Sequence, residues 1–331
     1  MKFGAAFWTL VVGGDIMLNA INPNAKVFEG VKAPFHEATI AYANLEIPLT
    51  DTRTPTVRKS ASEVKARTQF ILKAKPGHAP FLTDAGFDVL SLANNHAMDY
   101  RESGLEQMLR LLDEQEILGF GAGANWEAAR RVASIQIPDG PNVGFISFLA
   151  FNGAPAMRKC TPATTVSAGI ATLTITGLPD KKARALVSGV VDGAKEKCGF
   201  LVVCLHWGTE RQTQPTANQV RLGRMFIDEG ADVVLGSHPH VLQPGELYKG
   251  KPIIYSLGNL ISPMPAKTAL YRFSFEGPTV TKSEILPARI SGARVKLEEG
   301  KSRDASVLRA QKAQQLLQKA HPHKSSAKLI D

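Results

Sequence analysis

Gly236-Ser237-His238-Pro239-His240 follows Gly230-Ala231-Asp232-Val233-Val234-Leu235, and the reading of this junction decides the fold. The apolar run reads as a buried strand. Two imidazoles one residue apart, on a turn just past the strand's carboxyl end, can face one small volume. Imidazole is the commonest protein ligand for transition metals. A lone His-x-His is also frequent on surfaces, so the meaning of this pair depends on what the other strand ends carry.

Three more apolar runs end in residues of the same chemical type. Phe7-Trp8-Thr9-Leu10-Val11-Val12 runs into Gly13-Gly14-Asp15, and Phe87-Asp88-Val89-Leu90-Ser91-Leu92 into Ala93-Asn94-Asn95-His96. Phe200-Leu201-Val202-Val203-Cys204-Leu205 runs into His206-Trp207-Gly208. Near-continuous apolar runs suit strands covered on both faces. In open α/β sheets, ligands bind beyond the carboxyl ends of the strands. The pattern therefore predicts an α/β fold in which Asp15, Asn95, His206, His238 and His240 converge. Mixed oxygen and imidazole donors suit a divalent metal such as Mn, Fe or Zn. A fifth segment, Ile40-Ala41-Tyr42-Ala43-Asn44-Leu45-Glu46, ends in a carboxylate shortly before Pro48, which discourages regular structure. Two close cations need an anionic oxygen between them, and Glu46 is the candidate. Each residue has a plainer reading: Asp15 as a helix cap, Asn94 and Asn95 as turn residues, His206 as a hydrogen-bonded core histidine, Glu46 as a surface carboxylate. The metal reading is preferred because five segments agree on it.

The segments Gly14-Asp15-Ile16-Met17, Asn44 to Thr50, Ala93 to Tyr100, His206 to Glu210, His238 to Pro244 and Tyr255 to Asn259 occur in one order along most of the chain. This set resembles the bacterial capsule-synthesis protein CapA family, the poly-γ-glutamate synthesis group (PGA_cap) of the calcineurin-like metallophosphatase superfamily. The resemblance implies a four-layer α/β sandwich, two central β-sheets flanked by helices, with a metal site at one end. It implies that Asp15 and His240 hold a first metal, that Asn95, His206 and His238 hold a second, and that Glu46 bridges them. His96 falls at the position of a histidine that is not a ligand and acts near the leaving group. The sequence departs from the superfamily pattern at Met17, where a histidine is usual. A thioether is a poor ligand for Mn or Mg, so the first metal loses an imidazole. The glutamate at position 46 replaces a superfamily aspartate. Arg211 and Leu260 are smaller variations, at positions where aromatic residues are common.

These readings describe a metal-dependent hydrolase or transferase of capsule or poly-γ-glutamate biosynthesis, using one or two divalent ions, with His96 as the catalytic group. A plainer role for His96 is to orient Asn95. Asn44, Asp99 and Asn259 are candidates for supporting the ligands by hydrogen bonds. For Asp99 the preferred reading is an N-cap, because Arg101 to Leu112 has helical apolar spacing. Turn chemistry explains Asn259 equally well. Two alternatives stand beside the first function: a phosphoesterase acting on small phosphoesters or nucleotides, and a non-catalytic factor of capsule assembly or export.

The formal charge is +9, which favours anionic polymer or phosphoester substrates. Basic residues cluster at Arg53, Arg58, Lys59, Lys65, Arg67, Lys73 and Lys75, and again at Lys301, Arg303, Arg309, Lys312, Lys319, Lys324 and Lys328. No zinc-finger, helix-turn-helix or aromatic-basic RNA motif accompanies them, which argues against nucleic acid. A capsule-synthesis machinery is the expected protein partner. The chain reads as one catalytic domain over residues 1–290 and a basic tail over 291–331. The tail carries a helix, Asp304 to Ala320, with Val307, Leu308, Leu316 and Leu317 docking it, and mobile residues Lys324 to Lys328. Phe151 to Asp180 reads as an irregular excursion beside the site, and Lys181 to Lys197 as a helix. Lys2 to Val12 is read as a strand rather than a signal peptide, since cleavage there would remove the segment presenting Asp15. No apolar run spans a bilayer, so the chain reads as cytoplasmic, although the family is often anchored and extracytoplasmic. Three cysteines, Cys160, Cys198 and Cys204, indicate no disulfide framework.

Overall fold

A computed structural model describes residues 6–22, 25–151, 154–322, 329 and 330. The chain opens with β1 (Phe7–Ile16), α1 (Lys32–His36), β2 (Ile40–Leu45), α2 (Ala61–Lys65), α3 (Ala79–Ala85), β3 (Val89–Ser91), α4 (Arg101–Glu114) and β4 (Leu118–Phe120). Its middle holds β5 (Ala122–Gly123), α5 (Trp126–Ala129), β6 (Ala133–Gln136), β7 (Asn142–Ala150), α6 (Ala154–Met157), β8 (Gly169–Ile170) and α7 (Asp180–Lys195). There follow β9 (Phe200–Trp207), α8 (Ala217–Asp228), β10 (Val233–Ser237), β11 (Leu242–Tyr248), β12 (Lys251–Leu257) and β13 (Asn259–Ile261). A long hairpin, β14 (Ala266–Glu276) and β15 (Thr279–Ser291), leads to β16 (Arg294–Leu297) and α9 (Gly300–Ala320).

Two sheets form the centre. One runs β16-β15-β14-β1-β2-β3-β4, with β13 beside the end of β1; the other runs β11-β12-β10-β9-β7-β6. Within the first, β1 to β4 are parallel; within the second, β7, β9, β10 and β12 are parallel. Parallel strands align their carboxyl ends, so each sheet presents one loaded edge. An aromatic core lies between the sheets, with Trp8, Tyr42 and Phe273 from one facing Phe145, Phe200 and Val202 from the other. Trp8 stacks on Phe275 with ring centroids 4.2 Å apart and meets Phe200 edge-on at 4.9 Å. A second core seats α1, α3 and α4 on the outer face of the first sheet, and a third seats α7 and α8 on the outer face of the second. The layers are thus helix, sheet, sheet, helix: the four-layer α/β sandwich implied by the resemblance. Because both sheets are covered on both faces, β1 and β9 are apolar almost throughout rather than alternating.

Two glycines allow close approach near the loaded edges, Gly14 between the sheets and Gly236 between neighbouring strands of the second. A Cβ on Gly14 would stand 1.9 Å from the Gly258 carbonyl oxygen, and one on Gly236 would stand 2.1 Å from that of Tyr255. Neighbouring backbones approach at these points more closely than any side chain permits.

Some elements differ from the sequence reading. The run from Phe87 to Leu92 forms a strand only over Val89–Ser91. Phe87 leaves the ladder to pack on Phe28 and Phe35, and the Asp88 carboxylate accepts the Ala41 amide at 2.7 Å. The terminal helix begins at Gly300 and packs on β11 and β15. Leu317 is buried and Val307 packs on the core, but Leu308 and Leu316 are exposed and Gln314 is buried in their place. The helix axis therefore presents a different face from the one the leucines suggested. The expectation for Lys324 to Lys328 lies outside the described residues, as does the start of the segment from Lys2. Among the described residues no helix is long and apolar enough to cross a membrane. All three cysteines are buried and free, and burial pushes the thiols of Cys160 and Cys204 up to about 12.

Candidate metal centre

Asp15 lies one residue before the end of β1, in register with Asn44 on β2 and Asn259 on β13. Glu46 is the residue after β2. His206 lies in β9, in register with Ser237 on β10. The parallel ladders thus place these residues at one end of the molecule. His238 and His240 follow β10 in a turn where both adopt left-handed backbone, φ 94° and 58°. Non-glycine residues pay about 1–3 kcal/mol for such conformations, which persist where the surroundings impose them. Asn94 builds the loop after β3: its amide donates to the Leu45 carbonyl at 2.8 Å, and its Oδ1 accepts the amides of His96 and Ala97. Asn94 is therefore the turn residue of the pair, and Asn95 is free to face the centre.

The structure brings Asp15, Glu46, Asn95, His206, His238 and His240 into one volume. His206 Nε2 is 2.8 Å from Asn95 Oδ1 and 3.6 Å from Glu46 Oε1. His240 Nε2 is 3.6 Å from the same Glu46 oxygen, and its Nδ1 is 3.3 Å from Asp15 Oδ2. Glu46 thus stands between the two imidazoles. Two overlapping sets, Glu46 with His238 and His240, and Asp15 with Glu46 and His206, each offer ligand atoms within 4.8 Å of one another. These sets share Glu46 but do not divide the histidines as the resemblance implies, because the cluster is compact enough to allow both groupings.

Supporting contacts fix these side chains. Asn44 Nδ2 donates to Asp15 Oδ1 at 2.8 Å, and the His238 amide donates to Asp15 Oδ2 at 3.2 Å. His240 Nδ1 lies 2.9 Å from Asn259 Oδ1, and His206 Nδ1 lies 2.9 Å from Ser237 Oγ. Ser237 belongs to the quoted junction, yet its role shows only in the register that sets it beside His206. Phe151 covers His238 with ring centroids 4.5 Å apart.

Asp99 is not a helix cap. Residue 100 occupies the cap of α4 without a side-chain bond. The buried Asp99 carboxylate accepts from Lys59 Nζ at 2.5 Å and from the Leu72 amide at 2.8 Å, and lies 2.6 Å from His96 Nδ1. A charged partner within reach outcompetes a cap whose donors water can serve. Lys59, a member of the first basic cluster, is only 1 % exposed along its side chain.

The donor set fits a cation. Both Glu46 carboxylate oxygens, Asn44 Oδ1 and His238 Nδ1 are buried without hydrogen-bond partners. Burying a carboxylate without a partner is costly, and a divalent ion held by Glu46, His238 and His240 would supply one. Burial, then the charge of Asp15, pushes the Glu46 carboxyl well above its usual range. Burial, then neighbouring imidazoles, holds His206 and His238 well below theirs, in the neutral form that binds metal. Burial opposes charge on His240 too, but the carboxylates of Glu46 and Asp15 overcome it and raise the ring to about 10. Burial, then the Lys59 charge, lowers His96. A cleft of about 390 Å³ opens onto this end, lined by His96, Asn95, His238, Lys59, Arg67 and Phe70 among others.

The family model described as "Bacterial capsule synthesis protein PGA_cap" matches residues 9–264, a span containing every residue of this centre. The chain belongs to this family. It is 31% identical over 236 residues to the "PGA biosynthesis protein CapA" of Bacillus subtilis (strain 168), covering 71% of this chain and 56% of that protein. It is 33% identical over 198 residues to the "Capsule biosynthesis protein CapA" of Bacillus anthracis, covering 60% and 45%. A "Probable polyglutamine synthesis accessory protein" of Mycobacterium tuberculosis (strain CDC 1551 / Oshkosh) is 26% identical over 292 residues, covering 83% and 74%. The chain spans about half the length of the two PGA_cap relatives from Bacillus.

Proposed function

We propose that this PGA_cap protein is a metal-dependent hydrolase or transferase of capsule polymer biosynthesis, acting on poly-γ-glutamate or a phosphorylated precursor. The observation that carries the reading is Glu46, buried with both oxygens unpartnered amid Asp15, Asn95 and three imidazoles. Asp15, Glu46, Asn95, His206, His238 and His240 would hold one or two divalent ions. When bound, such ions polarise a scissile group and supply a hydroxide at neutral pH. The names of the Bacillus relatives support the pathway. The basic residues around the cleft suit an anionic substrate.

The chain's own residues then have distinct tasks. Asn44 and Asn259 keep Asp15 and His240 in place. Phe151 excludes water from one side of His238. His96 lines the cleft and serves the leaving atom as acid or hydrogen-bond donor, with its Nδ1 tied to Asp99.

Elemental analysis of the purified protein, followed by a panel of phosphomonoesters, phosphodiesters and γ-glutamyl polymers with Mn, Zn and Fe, tests the proposal. Turnover that falls on the order of 10²- to 10⁴-fold in His96→Asn, with residual activity still measurable and metal content unchanged, is the expected result. Metal without turnover on any class would favour the accessory role named in the mycobacterial relative, and a metal-free protein indifferent to added ions would end both readings.

A further inference from the structure

Lys59 lies outside the candidate ligands, yet it is the most completely buried cation beside them, with 1% of its side chain exposed. An ammonium taken out of water is tolerated only where its donors are matched. Here Nζ reaches Asp99 Oδ1 at 2.5 Å, the Phe70 carbonyl at 2.9 Å and the Asn95 carbonyl at 3.1 Å. It also lies 3.2 Å from His96 Nδ1. Replacing a buried ion pair such as Lys59–Asp99 as a whole by apolar side chains of similar volume is often neutral or stabilising, so the fold does not require it. The charge is therefore informative about what stands beside it.

The tautomer of His96 follows from these contacts. Asp99 Oδ2 accepts the Leu72 amide at 2.8 Å and lies 2.6 Å from His96 Nδ1. An ionised carboxylate has no hydrogen to give, so at that distance the ring carries its hydrogen on Nδ1. Lys59 Nζ on Oδ1 and the Leu72 amide on Oδ2 are both donors, so Asp99 acts as an acceptor throughout and the donor at this contact is Nδ1. Nε2 is then the nitrogen left for the cleft that His96 lines, and it serves the leaving atom as acid only after taking up a proton there.

We propose that Lys59 is a positioning residue for His96. Through Asp99 it fixes the tautomer and tilt of the ring, and through two carbonyls it ties the basic segment around Phe70 to the loop that presents Asn95. This deepens the hydrolase reading and rests on it for the role of His96.

The test compares wild type, Lys59→Met, and Lys59→Met combined with Asp99→Asn, the last avoiding an unpaired buried carboxylate that could prevent folding. The first readout needs no turnover. Nitrogen-15 NMR of the histidine-labelled, Zn²⁺-loaded protein should show the Nδ1–H form at His96 in wild type and its loss in Lys59→Met as well as in the double variant. An unchanged tautomer in folded Lys59→Met, or in the double variant, overturns the proposal. The second readout uses whichever substrate the wild type turns over. There kcat should fall on the order of 10- to 100-fold, as when a partner that orients a reacting group is removed, while KM and metal content stay within about twofold. Adding Lys59→Met to His96→Asn should cost nothing further. An additive loss in that background, or an effect confined to KM or to metal content, also overturns it. If the wild type turns over no substrate, the hydrolase reading fails separately and the NMR result alone decides the case for Lys59.

Discussion

Glu46 shows how a single residue can be unfavourable for the fold and necessary for a site. Its two unpartnered oxygens cost the metal-free protein about 1–3 kcal/mol, the usual scale for a buried group left unsatisfied. Glu46→Gln should therefore raise the melting temperature of the metal-free protein and abolish the further rise that Mn²⁺ gives the wild type, both visible by calorimetry. A wild-type-like response to Mn²⁺ in the variant would contradict the bridging role. His240 makes a second prediction. Its ring is held at about 10 by the nearby carboxylates, so in the metal-free protein it carries a proton at neutral pH. A cation bound there displaces that proton and any proton the raised Glu46 carboxyl still holds, so affinity should rise with pH up to about 10, at least ~tenfold per unit. Titration calorimetry in buffers of different ionisation enthalpy should detect the released proton. At this scale the candidate site was largely legible, because Asp15, Asn95, His206, His238 and His240 each follow an apolar run. Lys59 and Asp99 were not. Their meaning depends on a contact across forty residues, and locally one reads as a surface cation and the other as a helix cap.

At the scale of elements, the strands matter through how closely their ends approach. Gly236 sits in β10 where a Cβ would fall 2.1 Å from the Tyr255 carbonyl of β12. Gly236→Ala should therefore force those strands apart at a cost of about 3 kcal/mol or more, at the upper end of overpacking. The damage should reach the metal centre, since Ser237 and His238 follow directly. Thermal unfolding and Mn²⁺ affinity should both fall; unchanged affinity in a folded variant would show that the turn holds its shape without the strand. Parallel strands ending in ligand-type residues were readable from their apolar runs. The hairpin β14–β15 left no comparable signal, since the first six residues of β15 are exposed or half-buried and resemble those of a loop. The short β3 was overestimated because Phe87 is as apolar as a strand residue but packs on α1.

For the whole molecule, the relevant quantity is the field outside it. The net charge is +9, and Arg53, Arg58, Lys65, Arg67 and Lys75 are exposed on the segment bordering the cleft. If an anionic polymer is the substrate, its affinity should fall on the order of tenfold between about 50 mM and about 300 mM salt, as exposed charges are screened. Fluorescence anisotropy with labelled poly-γ-glutamate measures this, and a flat salt response would remove the cluster from substrate binding. The layered architecture was readable only through the family resemblance. Composition and periodicity announce strands, but which sheet each strand joins depends on pairings far apart in sequence.

The two sheets share the centre unequally. The first contributes Asp15, Glu46 and Asn95, while the second contributes the three imidazoles. A cation seated there would act as a rivet through the seam, joining halves that otherwise meet through a greasy core and a few hydrogen bonds. Stripping the ion would then loosen the bond between the halves at the mouth of the cleft, so that capacity for chemistry and mechanical integrity would be lost together.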